Sequence, residues 1–490
     1  MRRLAAVLTW ALVATSVAGC ADDSGPPPAA ATTDQGQAGK KQPGARPGKA
    51  RRDRPRRVQS APDTLAEIRA VLDARAQALM GRDAAAFQRT LSGSPGFAEE
   101  QRQYQQNLAQ LPLTRVQYVL DPASLMRTGR DYTAVVDLLL QLDGFDAGPT
   151  RSRARMIFRR EPAGIRIADV ELGESGAQPW DLGPIVARRR GSVLGVFDPG
   201  SDAWAPDVLA SVRMGTADVG PRVPTAWPRS VVVYALSDGR FLGSLPAARS
   251  GDTDRVDALT FTVPGLGARP AASRFVLSPR VLESPGPALD RLVRHELTHV
   301  ATGPLGDAVP LWLAEGSAEW VSAQALGPAD RIPPDATVAA AEAGPLRLPD
   351  ASAFTGDRSR AAYGVSWWLC EYLARTYGEG AVWTLISRFR SAGAQADPST
   401  VLRDTLGVSP EQVARGARRL VLREGGVREP RPSRSPSSSP SPSPRATSSG
   451  WRLPVLSRRS SPSRSGSPTR RWPAGAWSAR SHTRTWAPSR

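Results

Sequence analysis

The stretch Arg294-His295-Glu296-Leu297-Thr298-His299 decides how the rest of the chain is read. Two imidazoles four residues apart on a helix stand one above the other on the same face, a spacing that grips a metal ion. Glu296 follows the first histidine and points toward the same open metal position, where its carboxylate can take a proton from water. Of the three histidines in the chain, the remaining one is His482, far away in a low-complexity tail. The folded part therefore places its entire histidine content in this motif.

Zinc catalysis needs three protein ligands and one open position, so His295 and His299 are incomplete alone. The next informative segment is Pro310-Leu311-Trp312-Leu313-Ala314-Glu315-Gly316-Ser317-Ala318-Glu319-Trp320. It has helical apolar spacing, and its two carboxylates at i and i+4 share one face. Upstream, Ser284-Pro285-Gly286-Pro287 breaks the chain and starts the histidine helix. Before that break the sequence predicts strands at Ser192–Phe197, Ser230–Leu236, Val256–Val263 and Arg274–Ser278, with a helix over Ser201–Ala217. A small sheet leading into the metal helix would place a strand edge beside the metal, where an extended peptide could add by backbone hydrogen bonds.

Over residues 190–426 this organisation resembles the gluzincin zinc peptidases, the group that contains thermolysin and the zinc aminopeptidases. The specific matches are 295–299 and 310–320. The resemblance implies Glu315 as third metal ligand, Glu296 as general base and Zn2+ as the cofactor. Glu319, one turn on, is placed to accept the spare ring N–H of a liganding histidine; the alternative is a solvated helix charge. A metzincin would carry glycine at 302 and histidine at 305, where this chain has Thr302 and Leu305. No Gly-x-Met-Glu-Asn segment precedes His295, which favours an endopeptidase over an aminopeptidase. The family also needs an oxyanion donor from a later helix. Tyr363, in Arg360-Ala361-Ala362-Tyr363-Gly364 at the start of a helix running to Tyr377, is the candidate, with an aromatic packing role as the alternative. Helices over Ala381–Ser391, Pro398–Leu406 and Ser409–Arg423 complete an all-helical second lobe.

Toward the N-terminus, Leu65, Ile68, Leu72 and Leu79 repeat at helical spacing, and Gly81-Arg82-Asp83 stops that helix and caps another running through Phe87. A third helix is predicted over Phe97–Leu111. Strands follow around Val116–Leu120 and over Tyr132–Leu142, Arg151–Arg159 and Gly164–Leu172, separated by turn residues such as Asp143-Gly144. Helices followed by long strands indicate an α+β domain over 61–175, helices packed on one curved antiparallel sheet. With the Arg-Ala-x-Ala-Leu-x-x-Arg-Asp run at Arg75–Asp83, it resembles the cone-shaped NTF2-like fold. Such a cone holds a ligand, packs against a neighbour, or covers the peptidase cleft as an inhibitor. Residues 173–190 read as a linker.

The formal net charge of +18 suggests nucleic acid until it is divided by region. Residues 1–20 carry +2, 21–60 carry +5, 427–490 carry +12, and 61–426 about −1. A neutral body with basic flanks argues against nucleic-acid binding. Met1-Arg2-Arg3 and the apolar run Leu4–Val17 form an export signal too short for a comfortable membrane span. It ends in Val17-Ala18-Gly19-Cys20, which resembles the bacterial lipobox, with Cys20 acylated as the new N-terminus; an ordinary cleaved signal is the alternative. The expected product is a lipoprotein on the extracytoplasmic face of the membrane, acting on a peptide or protein. Residues 21–60, rich in Pro, Gly, Ala and Arg, read as a disordered basic tether. The second cysteine, Cys370, reads as a buried apolar residue. Residues 427–490, dominated by Arg, Ser and Pro, read as a disordered tail or an aberrant reading frame.

Overall fold

A computed structural model of the chain describes residues 56–57, 62–173, 177–245, 256–267 and 270–426. The signal segment with Cys20, nearly all of the 21–60 tether and the 427–490 tail lie outside the described residues. The fold is mixed α+β, with two hydrophobic cores on opposite faces of its second sheet.

The first part begins with β1 (Arg56–Arg57), inside the stretch expected to be tether, followed by α1 (Pro62–Met80), α2 (Ala84–Arg89) and α3 (Pro95–Leu108). The start of α2 is fixed by Asp83, whose carboxylate accepts the Ala86 N–H at 2.8 Å, and Ser94 caps α3 in the same way through Phe97 N–H. Five strands follow: β2 (Leu113–Leu120), β3 (Met126–Thr128), β4 (Asp131–Leu142), β5 (Thr150–Glu161) and β6 (Gly164–Leu172). The six strands form one antiparallel sheet in the order β1-β3-β4-β5-β6, and β2 shares with β3 the same edge of β4. Alternation places Val136, Leu140, Met156, Phe158 and Ile167 under the helices against Ile68, Leu72 and Phe87.

The expected linker at 173–190 is not one. It contains α4 (Pro179–Leu182) and β7 (Val186–Arg190), which opens the second sheet. Then come β8 (Val193–Phe197), α5 (Ala205–Val219), β9 (Val231–Ala235), α6 (Arg240–Ser244), β10 (Ala258–Val263) and β11 (Ala272–Leu277). The order is β10-β11-β9-β8-β7, parallel at β11/β9 and β9/β8 and antiparallel at both ends. Both faces are covered, which explains why these strands are nearly continuous hydrophobic runs. Val193, Val231, Val233, Phe275 and Leu277 face the C-terminal helices, while Leu194, Val232, Tyr234, Leu259 and Val276 face the N-terminal part.

That second face carries a buried ion pair. Arg274 of β11 reaches Asp146, in the β4–β5 connection, at 2.7 Å, with both side chains at most 1% exposed. Arg274 also donates to the Tyr234 hydroxyl at 2.6 Å. Backbone bonds from Ala147 N–H to Ala271 O and from Arg151 N–H to Pro264 O lace the same two segments together.

After α7 (Pro279–Leu282) the chain is helical: α8 (Pro287–Thr302), α9 (Leu311–Ala323), α10 (Asp335–Ala343), α11 (Ser359–Tyr377), α12 (Gly380–Ala392), α13 (Pro398–Leu406) and α14 (Pro410–Glu424). α8 ends at Gly303, whose φ of 67° suits glycine and lets its N–H cap His299 O. α9 lies between α8 and α11. It approaches α11 so closely at Gly316 that a Cβ there would collide with the carbonyl of Ser366. Gly316 thus fixes the depth at which its neighbour Glu315 sits.

Candidate metal centre

His295 and His299 occupy consecutive turns of α8, and Glu315 enters from the first turns of α9. Their ligand atoms converge. His295 Nε2 lies 3.0 Å from His299 Nε2, and Glu315 Oε2 lies 3.4 Å and 3.6 Å from the two. Four-coordinate bonds of about 2.0–2.2 Å place neighbouring ligand atoms roughly 3.3–3.6 Å apart, so the three separations bracket what a tetrahedral ion needs. Among the described residues this is the group of histidine and carboxylate side chains arranged to hold a metal ion.

The surroundings favour a dication. His295, Glu296 and Glu315 are essentially inaccessible to solvent, at 1%, 0% and 0% exposure. Glu319 Oε1 lies 3.2 Å from His295 Nδ1, while its other oxygen accepts from Arg291 Nη2 at 2.7 Å. A ring whose Nδ1 proton faces Glu319 keeps its Nε2 lone pair for the ion. Arg291 lies one turn before His295 on the same face of α8, and its guanidinium stacks 4.4 Å over the Trp367 ring of α11. Three buried carboxylates, Glu296, Glu315 and Glu319, thus lie close to the two imidazoles, and one of them, Glu319, is paired with a guanidinium.

The acid–base properties reflect this imbalance. Burial works against charge on His295, but the Glu315 and Glu319 carboxylates outweigh it and push its pKa up to about 10. Burial also opposes charge on Glu315, yet the two imidazoles bring it down to about 2. Glu319 is likewise held below its ordinary value, burial being overcome chiefly by Arg291. Without a cation the cluster retains a proton on an imidazole; a dication supplies the same compensation and leaves both rings neutral.

Glu296 sits beside the ligand trio with a different set of contacts. Burial raises its pKa, against the pull of the imidazoles and of a hydroxyl from the second sheet. That hydroxyl is Thr260 of β10, which donates to Glu296 Oε2 at 2.7 Å. Oε1 is buried without a hydrogen-bond partner. Thr260 belongs to the edge strand, so β10 is anchored to α8 directly beside the trio.

Of the side chains singled out from the sequence, His295, His299, Glu296, Glu315 and Glu319 are brought together. Tyr363 is buried in the first turns of α11, its ring edge-on to Phe354 at 5.0 Å. Cys370 is buried further along α11, and burial pushes its thiol well above the usual range. Cys20 lies outside the described residues. Sequence reading missed Thr260 and Arg291. The second was within reach, because a cation four residues before His295 shares its helical face; nothing in the sequence pairs Thr260 with Glu296. No known family model and no curated protein matches the chain.

Proposed function

We propose that the chain is a zinc-dependent metallopeptidase of the gluzincin type, hydrolysing peptide bonds as an endopeptidase, with an NTF2-like domain ahead of it. The observation that carries this reading is the convergence of His295 Nε2, His299 Nε2 and Glu315 Oε2 with Glu296 alongside. When bound, zinc supplies Lewis acidity to a carbonyl oxygen and lowers the pKa of water from 15.7 toward about 7. Glu296 then serves as general base. Its Oε2 is held by Thr260, which fixes the rotamer and leaves Oε1 to take the proton and pass it to the leaving amine. Glu319 and Arg291 hold the His295 ring in one tautomer. The resemblance gives Tyr363 the oxyanion donor's role, and the edge of β10, unpaired among the described residues, the docking of an extended polypeptide.

The Cys20 lipobox supports placement on the extracytoplasmic face of the membrane through a lipid anchor. Among the described residues no helix is long and apolar enough to cross a membrane.

A second reading, a non-catalytic binding lipoprotein with a structural or vestigial zinc site, draws on one observation: Glu296 is wholly buried and already hydrogen-bonded. Glu296→Gln separates the two. The peptidase reading expects cleavage of a peptide library by the purified full-length chain to fall about 10²- to 10⁴-fold with one metal per chain retained. A wild-type chain that binds one zinc and cleaves nothing supports the second reading, and loss of zinc in the variant assigns Glu296 a structural role.

A further inference from the structure

The run Arg75–Asp83 contributes nothing to the metal centre, yet its first residue is among the largest fully buried side chains in the molecule. Arg75 projects from α1 into a cavity of about 530 Å³ between α1, α3 and the first sheet. That volume is in the range of small-molecule sites, roughly 300–1,000 Å³. The guanidinium is 2% exposed and has only neutral partners. Its Nε donates to the Tyr118 hydroxyl at 3.0 Å and its Nη2 to Gln101 Oε1. Its flat face lies 4.3 Å over the Phe87 ring. Its Nη1 is buried and bonded to nothing.

A guanidinium removed from water without a carboxylate costs several kcal/mol, which ring faces and neutral acceptors offset only in part. Asp181, also on the cavity wall, does not supply the charge. It turns to its own short helix and accepts the Gln178 N–H at 2.7 Å, and burial pushes its pKa up to about 7. Beyond the guanidinium the wall is aliphatic, with Val136, Leu138, Ala154 and Met156 side by side. Glu99 and Glu100 line the cavity from α3 and disfavour multiply charged anions.

We propose that this cavity binds an amphipathic monocarboxylate, its carboxylate drawn to the unpaired Nη1 of Arg75 and its apolar body along the Val136–Met156 wall. One unpaired donor group on a guanidinium whose direct hydrogen-bond partners are neutral matches one carboxylate. The proposal is independent of the metal site.

The test is calorimetric titration of the full-length chain with octanoate and, as the uncharged control, 1-octanol. Octanoate binds one per chain, at least tenfold tighter than 1-octanol. Arg75→Met abolishes that preference, and Ala154→Phe, which narrows the cavity from β5, weakens both ligands at least tenfold. No octanoate binding, equal affinity for acid and alcohol, or undiminished binding in Ala154→Phe overturns the proposal. Should Arg75→Met lose its cooperative melting transition, the acid-to-alcohol ratio in the wild type and the response of Ala154→Phe decide the question.

Discussion

Around Arg75 one guanidinium lies among neutral hydrogen-bond partners at a cavity wall, whereas around Glu315 three buried carboxylates cluster and only Glu319 is paired with a guanidinium, that of Arg291. Between these regions, Arg274 and Asp146 form a third arrangement in which one buried cation meets one buried anion directly at 2.7 Å. Burial is equally deep in all three. The difference lies in what completes the charge: the chain itself at Arg274, a dication at Glu315 and an anion at Arg75. A closed pair is structural, and a cluster left short of charge is a binding site.

Breaking the closed pair has the largest expected effect. Asp146→Ala leaves Arg274 buried without a counter-charge, and costs about 3–5 kcal/mol of stability, read from denaturant unfolding. A loss below about 1 kcal/mol would mean that the pair is solvated and the contrast with Arg75 unsound. At the metal cluster, Glu319→Gln removes one compensating charge and leaves a single acceptor oxygen where His295 and Arg291 each face one. Zinc affinity falls roughly 10- to 100-fold in chelator competition, with the fold retained.

Gly316→Ala probes how the cluster is held rather than how it is charged. Forcing α9 away from Ser366 costs about 1–3 kcal/mol by thermal melting. The smallest effect is expected for Thr260→Val, which keeps shape but removes the hydroxyl from Glu296. Metal content is unchanged while kcat/KM falls about tenfold, close to the 1–1.5 kcal/mol of an ordinary hydrogen bond. Unchanged kcat/KM would make β10 a passive neighbour of the base.

Much of the metal cluster was legible in the sequence because helical periodicity is local. His295 and His299 at i and i+4, and Glu315 and Glu319 at the same spacing, determine their faces before any tertiary contact forms. The α+β order of the first part was legible for the same reason, as alternation in Asp131–Leu142 and helical spacing in Pro62–Met80 are strong signals. The strand Val186–Arg190 was hidden because its last three residues are exposed arginines on an edge, which leaves no alternation to detect. Arg56–Arg57 is too short to carry a pattern and is a strand only through its pairing with β3. The bonds Thr260–Glu296 and Arg274–Asp146 join residues 36 and 128 positions apart, and no local rule selects such partners. Arg75 was read as part of a fold pattern; only its depth and its bare Nη1 mark it as a ligand contact.

The central claim is that three side chains from two adjacent helices form one metal site. Elemental analysis of the purified full-length chain tests it most directly. One zinc per chain is expected in the wild type and less than about a tenth of that in Glu315→Ala, with His295→Ala behaving alike. A wild-type chain free of metal after zinc loading, or a Glu315→Ala variant that retains a full equivalent, would contradict it.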